Sequence, residues 1–129
     1  MNFLTVTQEE KLADMIAHIY MRELEIYQYQ NNIDNYTRML ASLPSSWPEE
    51  LMQYKNAPDD LSTVPLNLIE TVSNIRLAER LSTLIRTEMI EQGKCKHIYN
   101  SLVSQLPLNF DLASALLAEK QKQTTTANT

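Results

Sequence analysis

Four glutamates and two histidines are the first residues to test for chemistry. Glu23, Glu79, Glu88 and Glu91 are candidates for inward-facing carboxylates, and helical bundles that hold two metal ions use such groups. That chemistry also needs a Glu followed three residues later by a His on each of two helices. Here His97 is preceded at that distance by Lys94, and His18 by Met15. A metal-binding bundle enzyme built on Glu23, Glu88, Glu91 and His18 is therefore the weaker alternative, and the acids read better as interhelical ion-pair partners. No metal ligand, catalytic residue or cofactor is assigned. Cys95 and His97 stand two apart, on different faces of a helix, which does not suit a shared zinc ion. Cys95 lies on an apolar stripe, where a cysteine behaves as a small hydrophobe rather than a nucleophile. His18 reads as a partly buried structural histidine.

Two other groupings bear on binding. Arg76 and Arg80 share a face, and Lys94, Lys96 and His97 cluster further on. Glu79 and Glu91 interrupt this strip and no aromatic residue interleaves it, so nucleic-acid binding is the second alternative and a solvated helix face the simpler reading. Tyrosine is more informative. Tyr20, Tyr27, Tyr29 and Tyr36 crowd one stretch of chain, and tyrosine is enriched where a surface is dry on one side and wet on the other. Tyr20, Tyr27 and Tyr36 are the expected interaction surface, to which several methionines add adaptable contact area.

The elements that position these residues follow from spacing. Leu12, Ile19, Ile26, Ile33 and Leu40 recur every seven residues, an apolar seam that requires a long helix with a partner along its length. Thr7 and Glu10 have capping-box spacing, and Pro44 forbids continuation, so the first helix is expected between them. Four of the five prolines fall in residues 44–65, with one short helix expected over Trp47–Tyr54 to plug the bundle and turn chemistry at Pro58-Asp59-Asp60. A second long helix opens near Pro65 and stops before Pro107. It bears two apolar stripes: Leu68, Val72, Ile75 and Met89, and Leu77, Leu81, Leu84, Cys95, Ile98 and Leu102. A helix apolar on two sides is packed on two sides, which asks for a third element or a second copy of the chain. Gly93 marks either a bend or a close approach. Asn109 is placed to cap a last helix over Phe110–Lys122.

Composition narrows the class. A single glycine in 129 residues argues against hairpins and phosphate-cradling loops and for an all-helical fold. The net charge of −5 disfavours nucleic acid and anionic lipid as partners. One cysteine forms no internal disulfide, so a reducing cytoplasm is the expected setting. Residues 1–7 lack a basic region before an apolar core, so no signal peptide is expected, and no apolar run is long enough to span a membrane.

Pairing Leu40 with Leu68 in an antiparallel hairpin makes facing residue numbers sum to about 108. That register sets Arg38 across from Glu70, Glu23 across from Arg86 and Arg22 across from Glu88. The expected fold is all-α and bundle-like: a long antiparallel helical hairpin, a short plug helix in the connection, and a C-terminal helix. Residues 1–122 form one helical domain and 123–129 a disordered tail. The expected function is a non-enzymatic protein–protein interaction protein, an adaptor, assembly factor or inhibitor of the kind found among phage and bacterial accessory proteins. Its protein partner is unidentified, and the two-sided second helix implies a homo-oligomer.

Overall fold

The computed structural model describes residues 3–54, 61, 62 and 64–127, with side chains between residues 8 and 124 of those spans. Pro58-Asp59-Asp60 lies outside them. The chain is all-α: α1 (Phe3–Ala41), a 3-10 helix (Glu49–Tyr54), α2 (Ile69–Ser104), entered through a 3-10 turn (Leu66–Leu68), and α3 (Leu112–Ala127). The two long helices pack together as an antiparallel hairpin, with the short helix in the connection and α3 at the C-terminal end.

The helix ends follow from local chemistry. α1 begins at Phe3, four residues ahead of the capping-box Thr7, whose side chain lies outside those described. It ends where Ser42 N–H reaches the Arg38 and Met39 carbonyls at 3.2 Å, and the Ser42 hydroxyl donates to Met39 O at 2.6 Å. Pro44 then prevents another turn. Pro65, with φ −55° and ψ 140°, stands ahead of the 3-10 turn, and Leu68 N–H donates to its carbonyl at 2.9 Å. α2 runs unbroken through Gly93, and a Cβ built there meets nothing within 4 Å. Gly93 therefore marks neither an interruption nor a close approach. α3 is capped by Asp111 rather than Asn109. Asn109 instead adopts φ 65°, the left-handed conformation that asparagine tolerates, and turns the chain ahead of the cap. α3 continues to Ala127, five residues beyond the expected end at Lys122 and into the stretch expected to be disordered.

The chain divides into two compact units: Tyr29–Glu91, and Met1–Gln28 with Gln92–Thr129. In the first, Leu51, Val64, Val72, Ile75 and Leu81 are buried. Leu51 is the part of the short helix that reaches the core, while Trp47 is half-buried and Met52 exposed. Arg76 Nε donates to the Tyr54 carbonyl at 3.3 Å, tying the connection to the early turns of α2. Asn32 Nδ2 donates to Glu88 Oε2 at 3.2 Å, tying α1 to α2. The connection and α1 are thus each tied to α2 within this unit. Of the two apolar stripes on α2, Val72, Ile75, Leu81 and Cys95 are buried, whereas Leu77, Met89 and Ile98 remain exposed within the single chain.

In the second unit Ile19 is fully buried, and Tyr20, Gln92 and Cys95 are buried around it. Gln92 Nε2 donates to the Ile26 carbonyl at 3.2 Å, and the Cys95 thiol lies 3.4 Å from the Arg22 carbonyl. The other members of the seam, Leu12, Ile26, Ile33 and Leu40, are half-buried.

These ties correct the register. Facing numbers sum to about 120 at Asn32–Glu88 and about 118 at Ile26–Gln92 and Arg22–Cys95, rather than 108. Arg38 bonds to Asn35 on its own helix, Arg22 to Glu25, and Glu88 to Asn32. Arg86 and Glu70 are exposed. The expected pairs Arg38–Glu70, Glu23–Arg86 and Arg22–Glu88 give way to intrahelical bonds and to neutral donors across the hairpin.

Candidate functional site

A polar constellation joins α1 and α2 in the unit formed by Met1–Gln28 and Gln92–Thr129. Arg22 Nε donates to His18 Nε2 at 3.3 Å, one turn back, and its Nη1 pairs with Glu25 Oε2 at 2.9 Å, less than a turn ahead. The same Glu25 oxygen lies 3.5 Å from Cys95 Sγ. His18, Arg22, Glu25 and Cys95 thus form one chain of contacts, but its electrostatics oppose nucleophilic catalysis. Burial pushes the Cys95 thiol up, and the hydrogen bond and charge of Glu25 push it further; Arg22 only partly offsets them. A thiol so placed stays protonated and a poor nucleophile. His18 is exposed rather than partly buried, and it serves Arg22. Among the described residues no three His, Cys, Asp or Glu side chains converge as a metal site.

A second feature is a row on α1 that the heptad seam concealed. Ala13, Ala17, Tyr20, Leu24 and Tyr27 are spaced four, three, four and three apart, which keeps them on one stripe. Its start faces α3 across a groove where Ala13, Ile16 and Ala17 lie opposite Ala115 and Ala118. Small residues on both helices permit that approach. Tyr20 is 9% exposed and belongs to the core, which removes it from the expected interaction surface. Further along, the row emerges from cover: Leu24 is 45% and Tyr27 61% exposed, with Met21 beside them at 48%. Tyr36, the third expected tyrosine, is half-buried in the other unit.

On the flank of this row, a cavity of about 290 Å³ opens between the two long helices, lined by Glu23, Ile26, Tyr27, Lys96, Tyr99 and Asn100. Tyr99 sits half-buried in it. Burial raises its phenol above the ordinary range, and the nearby Glu23 carboxylate and Tyr27 add to the rise. The expectation for Glu23 looked across to an arginine and missed Tyr99. The signal was available, because the apolar stripe through Cys95 and Leu102 also brings Tyr99 to α1. A separate groove, lined by Leu12, Met15, Gln105 and Pro107 with Glu9 and Lys11 at its edge, is mainly apolar and brings no reactive groups together.

Within the basic strip of the second alternative, Lys96 lines a cavity together with Tyr27 and Tyr99. Arg76 is committed to the Tyr54 carbonyl, which draws it toward the structural core of its unit. No helix among the described residues is long and apolar enough to cross a membrane. No protein-family model, curated protein or solved structure matches the chain.

Proposed function

We propose that this protein acts by binding another protein through the exposed part of α1, as an adaptor, assembly factor or inhibitor, and not by catalysis. The observation that carries the reading is the run Met21, Leu24 and Tyr27. These are three large apolar or amphipathic side chains at successive intervals of three, each roughly half exposed or more. Scattered exposed hydrophobics need no explanation, but a contiguous row on one helix is how a helical surface presents itself to a partner. Met and Tyr are also residue types enriched at the centres of interfaces. The buried, protonated Cys95 suits a protein that works in a reducing cytoplasm.

The test is capture from the native host with the wild-type chain and with a M21A/L24A/Y27A variant of equal helicity by circular dichroism. A protein retained by the first and lost by the second supports the reading. An identical set of captured proteins overturns it. Sedimentation of the purified chain separates a different protein from a second copy as the occupant, since a second copy doubles the mass.

A further inference from the structure

We propose that the cavity between Tyr27 and Tyr99 is a notch for one arginine side chain of the partner, seated on the tyrosine rings and paired with Glu23. This deepens the proposed function and rests on it, because Tyr27 belongs both to the apolar row and to the notch wall. Three features of the notch select the occupant. Its walls hold two aromatic rings, whose faces attract a cation and stack a planar guanidinium. Glu23 contributes a carboxylate that forms no hydrogen bond or ion pair among the described residues, so it is open to a donor from outside. Ile26 supplies an apolar lining suited to methylene groups, and the Asn100 amide offers a further acceptor.

The electrostatics agree. Burial is the main cause of the raised Tyr99 phenol, and the Glu23 charge is the next, which places that carboxylate within electrostatic reach of the ring. The net charge of −5 draws basic segments from a distance. Lys96 is the opposing group. It is exposed and lines the same cavity, and its ammonium competes for Glu23. Arginine is favoured over lysine as the visitor because it stacks and pairs in two directions at once, whereas an ammonium is a strongly hydrated point charge. An acidic visitor would seek Lys96 but meet Glu23, and a neutral one would gain only the rings.

The probe is N-acetyl-arginine amide added to the full chain, with N-acetyl-citrulline amide as the uncharged control of similar shape. Ring resonances of Tyr27 and Tyr99 report occupancy. The expected result is saturable shifts with the arginine compound and none with the citrulline one. E23Q weakens binding about three- to fivefold, the size of a part-exposed ion pair, and K96A tightens it by a comparable factor. E23Q is read only at wild-type helicity, and K96A gives an independent answer because Lys96 is exposed. Absence of saturable shifts, equal shifts with citrulline, or E23Q binding at wild-type strength overturns the notch. Because M21A/L24A spares Glu23, Lys96 and both tyrosines, loss of captured partner in that variant with the notch test negative leaves the wider reading standing. The reverse pattern leaves a notch without the apolar interface.

Discussion

Val72 and Leu81 are both buried on α2, yet they stand nine residues apart, which places them on opposite sides of the helix at 3.6 residues per turn. The helix changes its buried face between them. Early turns present Val72 and Ile75 in the unit where Arg76 is bonded to the connection; later turns present Leu81 and then Glu88, which meets α1 through Asn32. A helix covered first on one face and then on the other is held from both sides. Truncation on either face should therefore be severe: Ile75→Ala and Leu81→Ala are each expected to destabilise the fold by about 2–5 kcal/mol. Urea unfolding followed by circular dichroism measures both. A small loss for Ile75→Ala beside a large one for Leu81→Ala would show that the connection contributes little to the core.

Gly93 is expected to be a site of easy stabilisation. It sits in the interior of α2, it is exposed, and a Cβ there meets no atom within 4 Å. Gly93→Ala restricts the unfolded chain and introduces no clash, so stability should rise by about 1 kcal/mol. The midpoint of urea unfolding should move upward at unchanged slope. A loss of stability would reveal a neighbour that approaches this turn.

Cys95 is expected to resist modification in the folded protein. Burial is the main cause of its raised thiol, and Glu25 is the next. The folded thiol thus titrates higher than the unfolded one. Its contribution to stability is whole below the ordinary thiol range, near pH ~8.5, and is lost as pH rises through the folded value. Alkylation by iodoacetamide at mildly alkaline pH should be much slower in native than in urea-unfolded protein. Glu25→Gln removes the carboxylate charge and should speed the native reaction, with helicity checked in parallel. Equal rates in native wild type and in Glu25→Gln would leave burial as the sole protection.

The fold was legible because its signals were periodic. The seam from Leu12 to Leu40 announced α1, Pro44 and Pro107 stopped the long helices, and the two stripes on α2 announced two coverings. Register was illegible because three plausible ion pairs could be drawn from one alignment, and long charged side chains make such alignments easy to satisfy. The true register is marked by Gln92 and Cys95 of α2 against backbone carbonyls of α1, which no sequence pattern displays, and by Asn32 of α1 against Glu88 of α2. Of the tyrosines, Tyr27 is exposed, whereas Tyr20, two positions earlier on the row, is lost to the core. Tyr99 is absent from the sequence reading because the tyrosines considered there were those of α1 alone.

The last expectation concerns the cap of α3. Ser114 N–H donates to Asp111 Oδ1 at 3.1 Å, and the Ser114 hydroxyl donates to Oδ2 at 2.7 Å. The hydroxyl bond is the main cause of the depressed carboxyl of Asp111, and the backbone bond is the second. The folded group therefore titrates below the unfolded one. Its contribution is whole above about pH 3.9, the ordinary aspartate value, and disappears as pH falls through the depressed folded value. Asp111→Ala should fray the first turn of α3 at neutral pH. Asp111→Asn keeps a side-chain acceptor and should retain the turn while losing the acid dependence. Ser114→Ala should bring the Asp111 titration back toward its ordinary range. Carbon chemical shifts of residues 112–116, followed from pH 7 to pH 2, report all three. A first turn that melts at the same pH in Asp111→Asn as in wild type would assign the acid sensitivity of α3 to a carboxylate other than Asp111.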